Sequence, residues 1–414
     1  MSEKIVSMFG LIFVTSYVAK YVGPGIFGEI AFATSVFQIF LIVSQLGSEV
    51  VLFKRLSKKK QSGIRLINST IPVRLFVYAT LSLPVVIWYA HHGYNESFFF
   101  IVASALSCLF VSLDIYSIYY DSQLKSKVNT LINVLALLVC LILRWVMAYI
   151  HLPPVYLCIP IVLTGFIPYA FRFLCFKREL IEFPKIKFSH YKRYSKFLIL
   201  TGSSLVLSAV AIAIYTRLSF LTIKYFMDNP SVGIYSVAVT LAGAWTFVCN
   251  SLITSSLPGV FSAKSEKDTL KEVAKINVVV VIVSFVVILS VSLIGQWGIN
   301  LLYGDRFSLA YEPLLILCAA VMLSLLGTVS SRLIAKYSGY RYISVKTVIL
   351  LIFSFIINIP MVYYFGLIGG ALSALLTELL GLTVLNYFYK DKIVLKSHLY
   401  TIKYVFCLLF RKRS

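Results

Sequence analysis

Apolar runs of about 20 residues, each long enough to cross a bilayer as a helix, follow one another along this chain with only short polar breaks. Twelve windows can be placed, at roughly 5–21, 27–53, 71–90, 97–120, 128–150, 155–173, 197–222, 232–262, 275–296, 311–335, 345–364 and 367–389. Of 414 residues, 59% are hydrophobic and only 13% charged, and the mean hydropathy is +0.90. A soluble core cannot absorb that much apolar side chain without exposing large patches, whereas a bilayer accepts it. The expectation is an all-α polytopic membrane protein with about twelve transmembrane helices.

A formal charge of +22 suggests a polyanionic partner until its distribution is considered. With the N-terminus inside and twelve spans, the inner loops receive Lys4, the run from Lys54 to Arg74, Lys125 and Lys127. They also receive the basic residues of 177–196, those from Lys264 to Lys275 and from Arg332 to Lys346, and those from Lys390 to Arg413. The outer side holds only Lys20, Lys224 and Arg306, and Arg144, Arg172 and Arg217 fall within spans. Basic residues on one side of every loop pair orient a membrane protein. The charge therefore predicts cytoplasmic termini, and no nucleic acid partner is expected.

The one long polar interruption is Lys177–Lys196, with seven Lys or Arg against two acidic residues and six windows on each side of it. This predicts an N-terminal six-helix bundle over 1–176, a basic cytoplasmic linker over 177–196 and a C-terminal six-helix bundle over 197–390. A basic cytoplasmic tail over 391–414 follows. In that tail Ser397 to Phe410 is apolar but too short to span, and reads as an interfacial helix ending in Arg411-Lys412-Arg413. A weak internal repeat supports two halves: Gly28, Ala33, Lys59 and Gly93 fall on Gly233, Ala238, Lys264 and Gly298 at one constant offset. Two halves in the same orientation form the plan in which a substrate path runs between them.

The outer connections, His91–Ser97, His151–Pro154, Lys224–Ser231, Trp297–Glu312 and Tyr364–Gly366, are too short to hold a folded domain. Seven cysteines without a CxxC pair indicate neither a disulfide framework nor a zinc site. The first span follows Met-Ser-Glu-Lys directly and is expected to act as its own uncleaved signal.

Three stretches in order resemble the polysaccharide-transporter family of the multidrug/oligosaccharidyl-lipid/polysaccharide (MOP) flippase superfamily, bacterial O-antigen flippases in particular. They are Gly23-Pro-Gly-Ile-Phe-Gly-Glu29 leading to Leu46-Gly47; Ser231-Val-Gly-Ile-Tyr-Ser236 through Trp245 to Ser256-Leu-Pro258; and Leu301-Leu-Tyr-Gly-Asp305 with Asn358 and Tyr364-Phe-Gly-Leu-Ile-Gly-Gly370. The resemblance implies a MATE-like fold in the bacterial inner membrane. It also implies translocation of an undecaprenyl-diphosphate-linked oligosaccharide from the cytoplasmic to the periplasmic leaflet, with O-antigen polymerase and chain-length machinery as partners. Where many such relatives carry an acidic residue late in the seventh span, this sequence has Ser219, which weakens any coupling role for that position.

Charge inside a span costs about 2.5–3.5 kcal/mol on insertion scales, so it is a functional candidate by default. Arg144 shares a helical stripe with Asn133, Leu137, Cys140 and Ala148, and Arg217 shares one with Ala213 and Lys224. If the two halves face each other, Arg144, Arg217 and Lys224 would line a cationic cavity, and guanidinium groups suit a diphosphate by bidentate hydrogen bonding. The alternative is that these arginines snorkel or pair with carboxylates. Arg172, at the inner end of its span, is expected to snorkel. Glu378, Asp114 and Glu49 are the candidate proton- or ion-coupling groups, or else neutralising partners for arginines.

The sequence contains no phosphate-binding GxxxxGK[ST] loop, and its five histidines have no metal-ligand spacing, so no enzyme, cofactor or metal is expected. The flippase reading competes with a MATE-like small-molecule or drug antiporter, for which a predominantly acidic cavity is expected. A membrane glycan polymerase or acyltransferase is the third reading. It is disfavoured by the short outer loops and by the absence of a histidine within the membrane.

Overall fold

Ten helical stretches of the computed structural model are long and apolar enough to cross a membrane. The structure describes residues 2–93, 95–179 and 188–410, and the side-chain surroundings of residues 10, 12–93, 95–179 and 207–407. Two of the ten stretches, Ile12–Gln45 and Tyr340–Tyr387, each take in parts of two of the twelve apolar windows, divided at a glycine. The breaks are Gly23 (φ 79°, ψ 172°) and Gly366 (φ 54°, ψ −126°), backbone conformations that only glycine adopts without strain. Both lie where tight turns between consecutive windows were expected. Ten long helices and twelve apolar windows are thus the same architecture. Among the described residues there is no strand, as backbone in hydrocarbon requires for anything but a closed barrel.

The chain divides into two compact units, Met1–Arg217 and Leu218–Ser414. The first unit is built from α1 (Ser2–Gln45), α2 (Ser48–Lys58), α3 (Lys60–His91), α4 (Glu96–Leu113), α5 (Tyr116–Ser122), α6 (Ser126–Tyr149), α7 (Cys158–Glu179) and most of α8 (Phe188–Phe226). Its packing depends on close approach of backbones. A Cβ on Gly165 of α7 would lie 3.0 Å from the carbonyl carbon of Ser107 on α4, and one on Gly63 of α3 would lie 2.9 Å from Leu56 Cα on α2. Small residues at such crossings replace the hydrophobic drive that lipid does not supply. Tyr78 of α3 donates to the Ala105 carbonyl at 2.7 Å, tying α3 to the middle of α4.

Two expected spans are shorter than the windows implied. The second ends at Gln45, because Leu46 (φ 51°) and Gly47 (φ 56°) are both left-handed, and Ser48–Lys58 is a separate helix. The fourth ends at Leu113, and Tyr116–Ser122 follows as its own short helix. Val51, Leu52 and Leu56 of α2 pack with Ile64 and Ile67 of α3, Tyr116, Tyr119 and Tyr120 of α5, and Phe176 of α7. This cluster closes the end of the unit where basic residues are densest.

The second unit contains α9 (Asn229–Gly243), α10 (Thr246–Ser262), α11 (Glu266–Tyr303), α12 (Tyr311–Lys336), α13 (Tyr340–Leu382), α14 (Val384–Tyr387) and α15 (Ile393–Phe410). Asp228 caps α9 by accepting from Ser231 N at 2.8 Å, and Ser265 caps α11 by accepting from Asp268 N at 3.0 Å. Lys336, at the end of α12, donates to the Val260 and Ala263 carbonyls at 2.7 and 3.0 Å, satisfying backbone groups at the end of α10. The eighth window is interrupted at Ala244-Trp245, between α9 and α10.

Helix α15 starts at Ile393, before the expected Ser397, and packs on its own unit: Val394 and Ser397 are buried and Asn277 of α11 donates to Thr401 at 3.2 Å. Gly93 sits in a turn with φ 105°, whereas Gly298 lies inside α11, so this pair of the sequence repeat is not structurally equivalent. Residues 180–187 of the expected linker, and Arg411-Lys412-Arg413, lie outside the described residues.

Candidate functional site

Seven helices of the first unit, α1 to α7, contribute to a charged polar core. Arg74 is 1% exposed and spends its guanidinium on three bonds. Nη1 donates to the Ser112 carbonyl at 2.7 Å, and Nη2 and Nε donate to Ser48 Oγ at 2.5 and 3.2 Å. Ser44 and Ser112 share a hydrogen bond of 2.7 Å beside it. Arg74 therefore ties the α1–α2 break to the end of α4. Counted with the basic run from Lys54, it is expected in an inner loop. In the structure α3 begins at Lys60, which places Arg74 about 21 Å along that helix. The missed signal was its position inside the 71–90 apolar window.

Arg172 is a second correction. Expected to snorkel, it is 4% exposed and fully engaged. It donates to Asp114 and Asn133, to Asn129 Oδ1 at 2.9 Å and to the Asn129 carbonyl at 3.4 Å. Asn129 in turn donates to the Ser117 carbonyl at 2.8 Å and to Asp121 Oδ1 at 2.9 Å. Snorkelling fails here because the acceptors on α4 and α6 offer the guanidinium more than the bilayer surface does. Asp114 is ion-paired with Arg172. Its Oδ1 is buried without a hydrogen-bond partner, and Arg74 also lies within electrostatic reach. Glu49 is exposed in the first turn of α2, within reach of Arg74.

Arg144 behaves differently. It lies on α6, half-buried, with Cys140 and Ala148 of its stripe buried and Trp145 and Val146 exposed. Among the described residues its guanidinium has no hydrogen-bond or ion-pair partner. Arg217 and Lys224 are both half-buried on α8, seven residues apart and so on one face with about 10 Å of rise between them. Lys224 donates to Asn229 at the start of α9.

Glu378 lies on α13, half-buried, and its electrostatic neighbour is Lys346 on the other segment of the same helix. Lys346, assigned to an inner loop from sequence, is 6% exposed and donates to Asn386 Oδ1 at 3.0 Å.

The second unit holds a neutral polar core around Asn358, 2% exposed. Its Nδ2 donates to Ser219 at 2.9 Å and Ser373 at 2.5 Å, and its Oδ1 accepts from Thr222 at 2.6 Å. Ser219 and Ser373 both donate to the Gly370 carbonyl, at 3.2 and 2.9 Å. Every polar atom of Asn358 is thereby used inside the unit, and Ser219 acts as a hydrogen-bonding post between α8 and α13. Among the described residues no group of three or more His, Cys, Asp or Glu is placed to hold a metal ion.

An apolar groove of about 470 Å³ runs between α4 and α7 of the first unit, lined by Phe98, Phe99, Leu106, Ile159 and Val162 among others. A second, of about 200 Å³, lies between α3 and α4.

Residues 1–265 match the model of the family described as polysaccharide biosynthesis protein. The chain belongs to this family. No curated protein matches it. Among solved structures, the chain is similar to the lipid II flippase MurJ in an inward closed conformation. The identity is 15% and the TM-score 0.69, over 100% of this chain and 91% of that one. It is equally similar in fold to an inward-facing multidrug resistance MATE family transporter of the MOP superfamily, at 11% identity and TM-score 0.69, over 96% and 95% of the two chains. The eukaryotic MATE transporter AtDTX14 follows at 14% identity and TM-score 0.59, over 96% of each chain. At these identities the likeness is one of fold. The family member is a multi-pass membrane protein with the fold of MOP transporters.

Proposed function

We propose that the protein is a flippase for an undecaprenyl-diphosphate-linked O-antigen or related polysaccharide repeat unit, moving it from the cytoplasmic to the periplasmic leaflet of a bacterial inner membrane by alternating access. The observation that carries this reading is Arg144. Arg74 and Arg172, the buried arginines of the same unit, are saturated by protein acceptors, while Arg144 keeps its guanidinium free on a membrane-crossing helix. An uncompensated intramembrane cation is costly and persists where a ligand supplies the counter-charge. A diphosphate does so with bidentate geometry. Arg217 and Lys224 extend the cationic surface along α8, and Glu378 with Lys346 is the candidate for ion coupling. The apolar grooves beside α4 suit a chain of prenyl units that stays in lipid while the headgroup crosses. O-antigen polymerase and chain-length proteins are the partners such a step would serve.

The MATE likeness favours a second reading, export of small cations on the same fold. Arg144, the cation on α6, opposes it, because like charges repel such a substrate.

Complementation separates the two. A strain lacking its own flippase, with a matched glycan, is scored for surface glycan and for lipid-linked units stranded in the cytoplasmic leaflet. Wild type restores surface glycan, and Arg144→Ala at normal protein level does not. Full activity of the alanine variant would make Arg144 structural, and failure of wild type together with drug resistance would favour the exporter.

A further inference from the structure

The α2–α3 turn carries charge that no ion pair among the described residues answers. No acidic residue occurs between Glu49 and Glu96, and Lys54, Arg55, Lys58, Lys59, Lys60 and Arg65 crowd this turn, all exposed. None of the six forms an ion pair among the described residues. Arg55 donates only to Ser62 Oγ, at 2.9 Å, and Lys60 lies over the Tyr119 ring at 5.5 Å. The basic turn of the second unit is different. There Glu266, Asp268 and Glu272 are interleaved with the lysines, Lys275 pairs with Glu272 at 2.7 Å and Lys396 with Glu266 at 3.1 Å. Orientation by the positive-inside rule needs basic loops. It does not need one to be free of acid and shaped into a pocket.

This one is shaped into a pocket. Lys59, Lys60, Gln61, Ser62 and Arg65 line an open cavity of about 400 Å³. Extended Lys59 (φ −146°, ψ 91°) opens α3 without a side-chain cap, so the first amide donors of a long helix share the same space. Helix α2 adds an apolar edge. Its buried face is Ser48, Val51, Leu52 and Leu56, and its other face presents Val50 (59% exposed) and Phe53 (46%) beside Lys54 and Lys58. A helix with apolar side chains next to lysines, joined at both ends to membrane-crossing helices, lies at the height of lipid headgroups.

We propose that the α2–α3 turn is a docking site for the phosphate-bearing headgroup of an anionic bilayer phospholipid. The phosphate sits in the Lys59–Arg65 pocket, and Val50 and Phe53 enter the adjoining acyl layer. A soluble phosphate has no use for the apolar edge, which is why the membrane lipid is the occupant. The site is separate from Arg144 and stands whether or not the flippase reading does.

Purified full-length protein in nanodiscs of phosphatidylcholine alone, or of phosphatidylcholine and phosphatidylglycerol in equal parts, tests it. Retained lipid is read by native mass spectrometry and stability by thermal unfolding. Phosphatidylglycerol is retained and raises Tm for wild type. Lys59→Gln and Arg65→Gln each weaken retention about fivefold, the weight of one cation at an anionic surface. Both side chains are exposed, so Tm in phosphatidylcholine alone stays at the wild-type value. Lys271→Gln, in the mixed-charge turn of the second unit, leaves retention unchanged. Equal losses in all three variants would mean diffuse attraction and overturn the proposal. So would inorganic phosphate reproducing the Tm rise in phosphatidylcholine.

Discussion

Arg172 donates to the carboxylate of Asp114 with the two side chains only 5% and 9% exposed, so α7 is fastened to the end of α4 by a buried charge pair. Asn129 and Asn133 of α6 complete the arginine's shell. Removing one member leaves the other charge buried without a counter-ion, the most damaging way to open such a pair. Arg172→Leu is expected to lower stability by about 3–5 kcal/mol. Arg172→Leu combined with Asp114→Leu recovers much of that loss, because no bare charge remains. Thermal or denaturant unfolding of the single and double variants in one detergent decides it; equal destabilisation in both would contradict a pair held by charge.

The α4–α7 contact should be similarly intolerant of volume. A Cβ on Gly165 would stand 3.0 Å from Ser107 C and 3.2 Å from Ser107 Cα, and backbone cannot swing aside as a side chain can. Gly165→Ala should cost about 1–3 kcal/mol by forcing the helices apart. Gly327 on α12 is the control: a Cβ there meets nothing within 4 Å, so Gly327→Ala should be neutral or mildly stabilising through helix propensity. Unfolding midpoints of the two variants, compared in the same lipid, provide the check.

The number and approximate positions of the spans were legible because bilayer thickness sets the length of an apolar run. Partnerships were not, because partners lie on other helices. Arg74 and Lys346 sit near the edges of apolar windows, where counting charges by loop gives them to solvent; Ser48, Ser112 and Asn386 are what draw them inside. Arg172 was placed at the right depth and given the wrong fate for the same reason. Gly47 falls inside the 27–53 apolar window, where a glycine carries no mark of its left-handed φ of 56°. Arg144 was recognisable as an intramembrane charge, but only the structure distinguishes it from the arginines that are spoken for.

Acid should weaken one helix start selectively. Asp228, between the α8 and α9 spans, has its carboxyl held below the usual range, first by the Ser231 side chain and then by the Ser231 backbone amide. A depressed folded-state value means the cap contributes fully above the unfolded value of about 3.9 and loses its contribution as pH falls through the folded value. Asp228→Ala should therefore cost about 1 kcal/mol at neutral pH. The gap between wild type and Asp228→Ala should narrow in strongly acidic buffer, while Asp228→Asn, a neutral cap, keeps its advantage over alanine throughout. Tm measured against pH for the three proteins tests the sign.

The neutral core of the second unit should respond more gently than the charged core of the first. Asn358 serves Ser219, Ser373 and Thr222, but each of those hydroxyls also has a backbone carbonyl: Gly370 for the two serines, Leu218 for the threonine. Asn358→Leu thus strands no buried donor, and a net loss of about 1–2 kcal/mol follows from the lost hydrogen bonds alone. That is well below the cost expected of Arg172→Leu. The comparison also bears on transport. If the cluster only joins α8 to α13, the proposed activity of Asn358→Leu follows the amount of folded protein. A transport defect at normal protein level would instead mean that Asn358 and Ser219 take part in coupling despite the missing carboxylate. Complementation scored beside Tm for the same variant distinguishes these, because a joint between helices alters both readouts together and a coupling residue alters one.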